Sequence, residues 1–111
     1  MKLRAELQFG DINLENAFYD LKEGDAQEKR LYSSLVKAFK RIGQNTFCGT
    51  QISKKLIPRE YSQKYRVSNL WKYNLPGAWR LLYSVEKGEI TVLAVILEWL
   101  NHKSYEKRFR Y

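Results

Sequence analysis

Two cations, Lys72 and Arg80, interrupt the otherwise apolar and aromatic stretch LWKYNLPGAWRLLYSV, residues 70–85. The single histidine of the chain, His102, follows in a short motif with Lys103 and Tyr105. Lysine and arginine bind phosphate oxygens, and the guanidinium group can do so through two parallel hydrogen bonds. Histidine can exchange a proton near neutral pH. These residue types could therefore bind a phosphate and act on it by acid–base chemistry.

Each of these residues also has a purely structural interpretation. Arg80 could pair with a carboxylate such as Glu98 and Lys72 could simply be solvated, and exposed pairs of this kind contribute only about 0–1 kcal/mol. A lone histidine between a strand and a helix is often a cap or a surface group. Tyr105 and Phe109 stand at i,i+4 spacing, which is typical of one helix face, so Tyr105 could belong to the core. The three tryptophans, Trp71, Trp79 and Trp99, are interpreted as core residues.

The positive charge is concentrated in the C-terminal half of the chain. The net charge is +8, and residues 1–50 hold 8 Lys/Arg against 7 Asp/Glu, whereas residues 51–111 hold 12 against 5. Residues 54–80 contain one acid, Glu60, and a run of seven cations: Lys54, Lys55, Arg59, Lys64, Arg66, Lys72 and Arg80. Such a patch favours a polyanion or an acidic protein as partner, because neutralised phosphates release counterions. The alternative is a solvated surface without a partner.

Length and composition predict one domain, residues 1–111, that stays in the cytoplasm. The longest apolar run, residues 90–100, is interrupted by Glu98 and is shorter than the roughly 20 residues that cross a bilayer. The N-terminus lacks the apolar core of a secretory signal, so we expect no membrane association. One cysteine, Cys48, and one histidine cannot form a disulfide or a Cys/His zinc site, and we expect no metal or cofactor.

The N-terminal half predicts one strand and two helices. Alternating apolar residues up to Phe9 indicate a strand that ends at Gly10. Asp11 or Asn13 then caps a helix that stops at Gly24. Asp25 caps a second helix, for which we expect an end at Gly43 and Asn45, and the short link makes the two helices an antiparallel hairpin.

The C-terminal half predicts three antiparallel strands and a terminal helix. Residues 46–69 are irregular, with a short helical turn at residues 58–65 as one alternative. Strands are expected at residues 70–75, 79–86 and 89–99, separated by turns at Pro76 and Gly77 and at Lys87 and Gly88. The third run is apolar on both faces, as in a central strand, and a short helix begins at Asn101 or His102. The predicted class is α+β: an N-terminal strand, a helical hairpin, a three-strand antiparallel meander and a short C-terminal helix.

The register of the first two meander strands decides where the cations point. If Leu75 pairs with Trp79 across a three-residue loop, the aromatic and large apolar residues share one face, which is expected to pack on the helical hairpin. That face carries Trp71, Tyr73, Leu75, Trp79, Leu81, Tyr83 and Val85. The opposite face carries Lys72, Asn74, Arg80, Leu82 and Ser84, and its two cations are expected to form a surface.

The segment LWKYNLPGAWRLLYSVEKGEITVLAVILEWLNHKSYEKRF resembles the C-terminal half of the RelE/ParE toxin superfamily, and the resemblance extends over residues 17–109. Members end in a basic strand, a strand with an aromatic–Arg–hydrophobic–hydrophobic–Tyr pattern, an apolar strand and a motif with His or Arg followed by Tyr. RelE-like members cleave mRNA in the ribosome without a metal and are held inactive by a cognate antitoxin. The resemblance therefore implies a RelE-like fold, mRNA and the ribosome as partners, and an acidic antitoxin. A homodimer is a further candidate assembly.

Residue by residue, the resemblance implies a catalytic set of Lys72, Arg80, His102 and Tyr105. Asn74 falls where some members have a second lysine. The RNA-binding residues would be Lys54, Lys55, Arg59, Lys64, Arg66, Asn74 and Lys103. Cleavage without a metal requires deprotonation of the 2′-OH, stabilisation of a charged phosphorane and protonation of the leaving 5′-oxygen. Histidine suits the proton transfers, the two cations suit the charge, and a tyrosine could stack on a base or orient the phosphate.

A non-catalytic binder of the same fold is the alternative. ParE-like members of the superfamily poison DNA gyrase and lack the ribonuclease residues. A solitary relative that binds RNA or a protein is a second form of this alternative. The cluster of His102, Lys103 and Tyr105 discriminates between the hypotheses, because a pure binder does not need it.

Overall fold

The computed structural model describes residues 4–87 and 92–110. The chain begins with strand β1 (Ala5–Phe9), followed by helices α1 (Ile12–Lys22) and α2 (Ala26–Gln44). Asp11 caps α1 by accepting a hydrogen bond from the Leu14 N–H, and Asp25 caps α2 in a reciprocal pair with Glu28. Both capping aspartates agree with the sequence prediction.

Helix α2 ends at Asn45, one of the two residues predicted to end it, whereas Gly43 lies inside the last turn. The helix continues to Gln44, and Asn45 is its C-terminal cap. A Cβ atom at position 43 would lie 3.2 Å from the Leu7 side chain. The glycine therefore permits close packing of α2 against β1, and it does not terminate the helix.

The segment between the helical hairpin and the meander contains more structure than the sequence pattern indicates. It holds a short edge strand, β2 (Thr50–Gln51), a 3-10 turn (Lys54–Leu56) and helix α3 (Arg59–Tyr65). Helix α3 corresponds to the helical turn considered for residues 58–65. Strand β2 was not predicted, because two exposed polar residues produce no recognisable alternation.

Strands β3 (Trp71–Leu75), β4 (Trp79–Lys87) and β5 (Val92–Leu100) and helix α4 (His102–Phe109) complete the chain. The five-stranded sheet has the order β1-β5-β4-β3-β2. Strand β1 is parallel to β5, and the other neighbours are antiparallel. The α+β class is confirmed, but β2 and α3 make the order of elements differ from the prediction. The start of the predicted third meander strand, residues 89–91, and the turn residue Gly88 lie outside the described residues.

The predicted register of the hairpin is confirmed. Leu75 lies opposite Trp79, and a 3-10 turn of Pro76, Gly77 and Ala78 joins β3 to β4. The large apolar face packs on α1 and α2 in a cluster that we call the first core. Its members from β3 and β4 are Trp71, Tyr73, Leu75, Trp79, Leu81, Tyr83 and Val85.

The opposite face is partly covered, because two of its five residues are buried. Leu82 and Ser84 are both 0% exposed. They are covered because α3, α4 and the segment before β3 build a second core on this side, with the members Ile52, Tyr61, Val67, Leu70, Leu82, Leu97, Leu100 and Tyr105. Only the end of the face that carries Lys72, Asn74 and Arg80 remains partly or fully open.

A β-bulge in β5 changes which way its side chains point. Leu82 lies opposite Glu98 and Tyr83 lies opposite Ile96, so Leu97 has no opposite residue in β4. Leu97 belongs to the second core, and Glu98 hydrogen-bonds to Tyr61 of the same core. The extra residue thus directs two consecutive side chains to the side of α3 and α4. In the described part of the chain, no helix is both long and apolar enough to cross a membrane.

Candidate phosphate-binding site

Lys72 of β3 and Arg80 of β4 converge on the ring of Tyr105 in α4. The Lys72 Nζ and the Arg80 Cζ each lie 5.6 Å from the centre of that ring. The strand register places both cations on the same sheet face, and Leu100, opposite Arg80, leads directly into α4. The first turns of α4 therefore bring Tyr105 to the cations.

Asn74 extends this group of residues towards solvent. It lies directly opposite Arg80 in the β3–β4 pair and is exposed, whereas Lys72 and Arg80 are half-buried. We call Lys72, Asn74, Arg80 and Tyr105 the β3–β4 site. The site is open at the end of the sheet face that the second core does not cover.

The charge of the β3–β4 site is not neutralised by a carboxylate. Within residues 4–87 and 92–110, the ion pairs include neither Lys72 nor Arg80. The pair of Arg80 with Glu98, considered from the sequence, is not formed, because Glu98 binds Arg108 at 2.6 Å. A neutral aromatic ring attracts each cation by about 0.5–2 kcal/mol but leaves its charge in place. The two cations can therefore offer their charge to an anion.

Tyr105 belongs to the second core, as its helical spacing with Phe109 indicated. Its exposure is 4%, and its ring centre lies 4.5 Å from that of Phe109. So buried a ring offers little area on which a base could stack. Its contacts instead fit a positioning role, in which it fixes Lys72 and Arg80 against the end of the sheet.

His102 stands at the first position of α4, and its side chain is 59% exposed. Its Nε2 lies 2.8 Å from Oε1 of Glu106, one helical turn further along. The sequence reasoning missed Glu106, although i,i+4 spacing on a helix is the signal that could have revealed it. The structure thus pairs His102 with Glu106, and it brings Lys72, Arg80 and Tyr105 of the predicted catalytic set together.

The predicted RNA-binding cations are spread over three places. Lys54 and Lys55 are exposed on the 3-10 turn after β2, and Arg66 is exposed at the end of α3. Lys103 is exposed beside His102 on α4. Lys64 is also exposed, but it pairs with Asp11 at 3.2 Å, so part of its charge is compensated.

Arg59 takes part in a separate polar cleft of about 470 Å³. Arg108 and Arg110 line the same cleft, together with Glu60. The sequence reasoning did not single out these two arginines, although the basic ending of the chain was visible. Arg108 has a structural role, because its guanidinium group also binds the Glu98 carboxylate.

Glu98 connects β5 to both helices of the second layer. Its Oε2 accepts hydrogen bonds from the Tyr61 hydroxyl at 2.7 Å and from the Arg108 guanidinium at 2.6 Å. Burial, and then the neighbouring Glu98 charge, raise the pKa of the Tyr61 hydroxyl, which stays protonated as a donor. This network holds α3 and α4 on the sheet.

Cys48, which sequence reasoning interpreted as inert, is a free and exposed cysteine. Although the residue is exposed as a whole, partial burial of its sulfur raises the pKa of the thiol, which disfavours the reactive thiolate. Among the described residues, no three His, Cys, Asp or Glu side chains are grouped so that they could hold a metal ion.

Comparison of the chain with known protein families, with curated proteins and with solved structures finds no match in any of the three. The geometry of the β3–β4 site, together with the resemblance described above, is therefore the basis for a function.

Proposed function

We propose that this protein is a RelE-like toxin, a metal-independent endoribonuclease that cleaves mRNA on the ribosome. One observation carries the proposal: Lys72 and Arg80 converge on Tyr105 with no described carboxylate to neutralise them. Two uncompensated cations at an open end of a sheet suit a phosphodiester that gains negative charge in its transition state. The resemblance of the surrounding segment to the RelE/ParE superfamily suggests RNA cleavage as the reaction.

The reaction would begin with attack of the ribose 2′-oxygen on the adjacent phosphorus. The P–O bond to the 5′-oxygen of the next nucleotide breaks, which leaves a 2′,3′-cyclic phosphate on one fragment and a 5′-hydroxyl on the other. Arg80 and Lys72 would bind the nonbridging oxygens as their charge grows, and Asn74 could donate a hydrogen bond beside Arg80. Tyr105 would act through these cations as a positioning residue.

His102 would exchange the protons. It would take the proton of the 2′-OH as the 2′-oxygen attacks and then pass that proton to the leaving 5′-oxygen, so that one imidazole serves both transfers. Glu106 holds Nε2, so Nδ1 is the ring nitrogen left to meet the substrate. The 59% exposure of the side chain gives it room to move towards the β3–β4 site when RNA binds.

The biological setting is proposed on the same basis. An acidic antitoxin protein would cover the basic half of the chain, and the toxin would act in the cytoplasm, as a monomer or a homodimer. Lys54, Lys55, Arg59, Arg66 and Lys103 are exposed and would contact RNA phosphates around the site. A neighbouring reading frame for a small acidic protein would support this setting.

The decisive experiment maps RNA ends on translating ribosomes incubated with the purified protein. We expect fragments that end in a 2′,3′-cyclic phosphate. Arg80→Ala should lower the cleavage rate on the order of 10²-fold, as the removal of one transition-state donor does elsewhere. Arg41→Ala, an exposed arginine of α2, is the matched control and should cleave like wild type.

Intact mRNA with the wild-type protein, or equal rates for Arg80→Ala and wild type, would contradict the proposal. The burial of Tyr105 favours the second candidate, a ParE-like gyrase inhibitor or another non-catalytic binder, because a binder needs no tyrosine in contact with substrate. If His102→Ala and Arg80→Ala kept full toxicity in cells while DNA damage signalling rose, the gyrase candidate would replace the ribonuclease.

A further inference from the structure

A second concave region lies on the other side of the sheet from the β3–β4 site. It is a cleft of about 570 Å³ between α2 and the turn that joins β3 to β4. Trp79, which lines it, packs against the first core, whereas the adjacent Arg80 points to the opposite face with Lys72. We call this region the α2 cleft. None of the residues proposed above for catalysis lines it.

The α2 wall of the cleft combines cations with small hydroxyl side chains. Arg30, Ser33, Ser34 and Lys37 recur at i, i+3, i+4 and i+7, so they lie along one face of the helix. Ser33 and Ser34 add two hydroxyl groups to the lining between these cations. Lys29 adds a third cation to the rim.

The charge on this wall is not compensated. Within the described residues, no Asp or Glu lines the cleft, and Lys29, Arg30 and Lys37 form no ion pair. Three solvated cations on a convex helix surface would not indicate a ligand site. Here, however, the three cations line one concave region. An anionic group inside it could contact cations and hydroxyls together.

The β3–β4 turn and Trp79 give the cleft an aromatic side. The indole of Trp79 is anchored by packing on the first core, and the turn passes close to its edge, since a Cβ at Gly77 would lie 3.6 Å from Trp79 Cδ1. Pro76 completes this side. A planar ring could stack there, and stacking of a base on an aromatic side chain contributes about 1–3 kcal/mol.

We propose that the α2 cleft binds a nucleotide, with its phosphate on Arg30 and Lys37, hydrogen bonds from Ser33 and Ser34, and its base against Trp79. A cleft lined by an aromatic ring, cations and hydroxyls fits this ligand better than an acidic peptide, which needs no planar surface. The volume lies within the roughly 300–1,000 Å³ of small-molecule sites. The nucleotide could be free or part of an RNA strand. This inference does not depend on the proposed ribonuclease activity.

The test is a titration with adenosine 5′-monophosphate, without ribosomes, followed by the Trp79 indole N–H signal in a ¹⁵N NMR spectrum. Trp79→Phe assigns that signal among the three tryptophans. We expect a saturable shift, and a Kd at least about tenfold higher for the double variant Arg30→Ala/Lys37→Ala. The double variant Lys40→Ala/Arg41→Ala removes the same charge from exposed positions of α2 outside the cleft and should bind like wild type.

Three further ligands decide between explanations. Adenosine that binds as tightly as the monophosphate would overturn the proposal, because the cations would then have no role. Hexaglutamate that binds as tightly would overturn it in favour of an acidic protein partner. Hexa-adenylate supports the proposal in either of two ways: about tenfold tighter binding than the monophosphate assigns the cleft to RNA, and similar binding assigns it to free nucleotides. The NMR spectrum of each variant verifies its fold.

Discussion

The carboxylate of Asp11 connects three parts of the chain. One oxygen accepts the Leu14 N–H at 2.8 Å and caps α1, and the other accepts the Tyr65 hydroxyl at 2.8 Å and lies 3.2 Å from the Lys64 Nζ. The backbone hydrogen bond from Leu14, and then the hydrogen bond from Tyr65, hold the pKa of Asp11 below its ordinary value. The residue therefore fixes the start of α1 to the end of α3.

We expect Asp11→Asn to lower the free energy of unfolding by about 1 kcal/mol at pH 7. Asparagine can keep the cap, but its amide presents a donor to the Tyr65 hydroxyl and to Lys64. Because the pKa is lowered by folding, the charge stabilises the protein fully above the unfolded pKa of about 3.9, and this stabilisation is lost as the pH falls through the folded value. Urea unfolding at pH 7, 5 and 3 measures the difference.

The control for this prediction is Asp20→Asn. Asp20 is exposed on the same helix, and none of the hydrogen bonds or ion pairs described above involves its side chain. Its substitution should change stability by less than about 0.5 kcal/mol at every pH. A gap between wild type and Asp11→Asn that stays constant from pH 7 to pH 3 would show that the charge of Asp11 is not what stabilises the protein.

At the scale of elements, the bulge in β5 controls how α4 is attached. Without it, simple alternation would place Glu98 on the side of Ala94 and Ile96, in the first core among apolar side chains. The bulge instead brings Glu98 to Tyr61 of α3 and Arg108 of α4. A single extra residue in one strand thus connects two helices to the sheet through one carboxylate.

This network predicts coupling between Glu98 and Arg108. Either Glu98→Ala or Arg108→Ala should destabilise the protein by about 1–3 kcal/mol, because a partly buried charged partner is left unpaired. The double variant should cost clearly less than the sum, with an interaction energy between about 0.5 and 3 kcal/mol. Denaturant unfolding of the four proteins of the cycle gives this energy, and additive losses would mean that the contact does not hold α4.

The bulge also marks the limit of what the sequence could predict. The register of the β3–β4 hairpin could be predicted from the sequence. Only a three-residue loop, which pairs Leu75 with Trp79, places the aromatic residues and the cations on opposite faces of the sheet. Capping by Asp11 and Asp25 followed from local chemistry. The second core did not follow, because α3 and the segment before β3, which build much of it, show no clear periodicity, and because the bulge reverses the alternation of side chains after Leu97. The strand register predicted that Lys72 and Arg80 share one sheet face. Their contact with the buried ring of Tyr105 could not be predicted from the sequence.

At the scale of the whole molecule, the positive charge is concentrated in two regions, the C-terminal half of the chain and the α2 cleft. The C-terminal half carries the excess, 12 Lys/Arg against 5 Asp/Glu, and its exposed cations include Lys54, Lys55, Arg66 and Lys103. The α2 cleft carries a smaller group on the other side of the sheet. An extended polyanion could therefore contact the protein at more than one face, and the two contributions must be separated by substitution.

The salt dependence of binding to a single-stranded oligonucleotide can separate the contribution of the C-terminal cations from that of the total net charge. A 2′-deoxy strand is suitable because it lacks the 2′-OH that cleavage needs. Each neutralised phosphate contributes about 0.7 to the slope of log K against log salt, so Lys54→Ala/Lys55→Ala should reduce the slope by about 1.4. Lys22→Ala/Lys40→Ala changes the net charge equally, at exposed positions of α1 and α2 outside both sites, and should leave the slope nearly unchanged. Equal reductions for the two variants would mean that binding follows total charge, and the patch on residues 54–80 would then have no special role in recognising the strand.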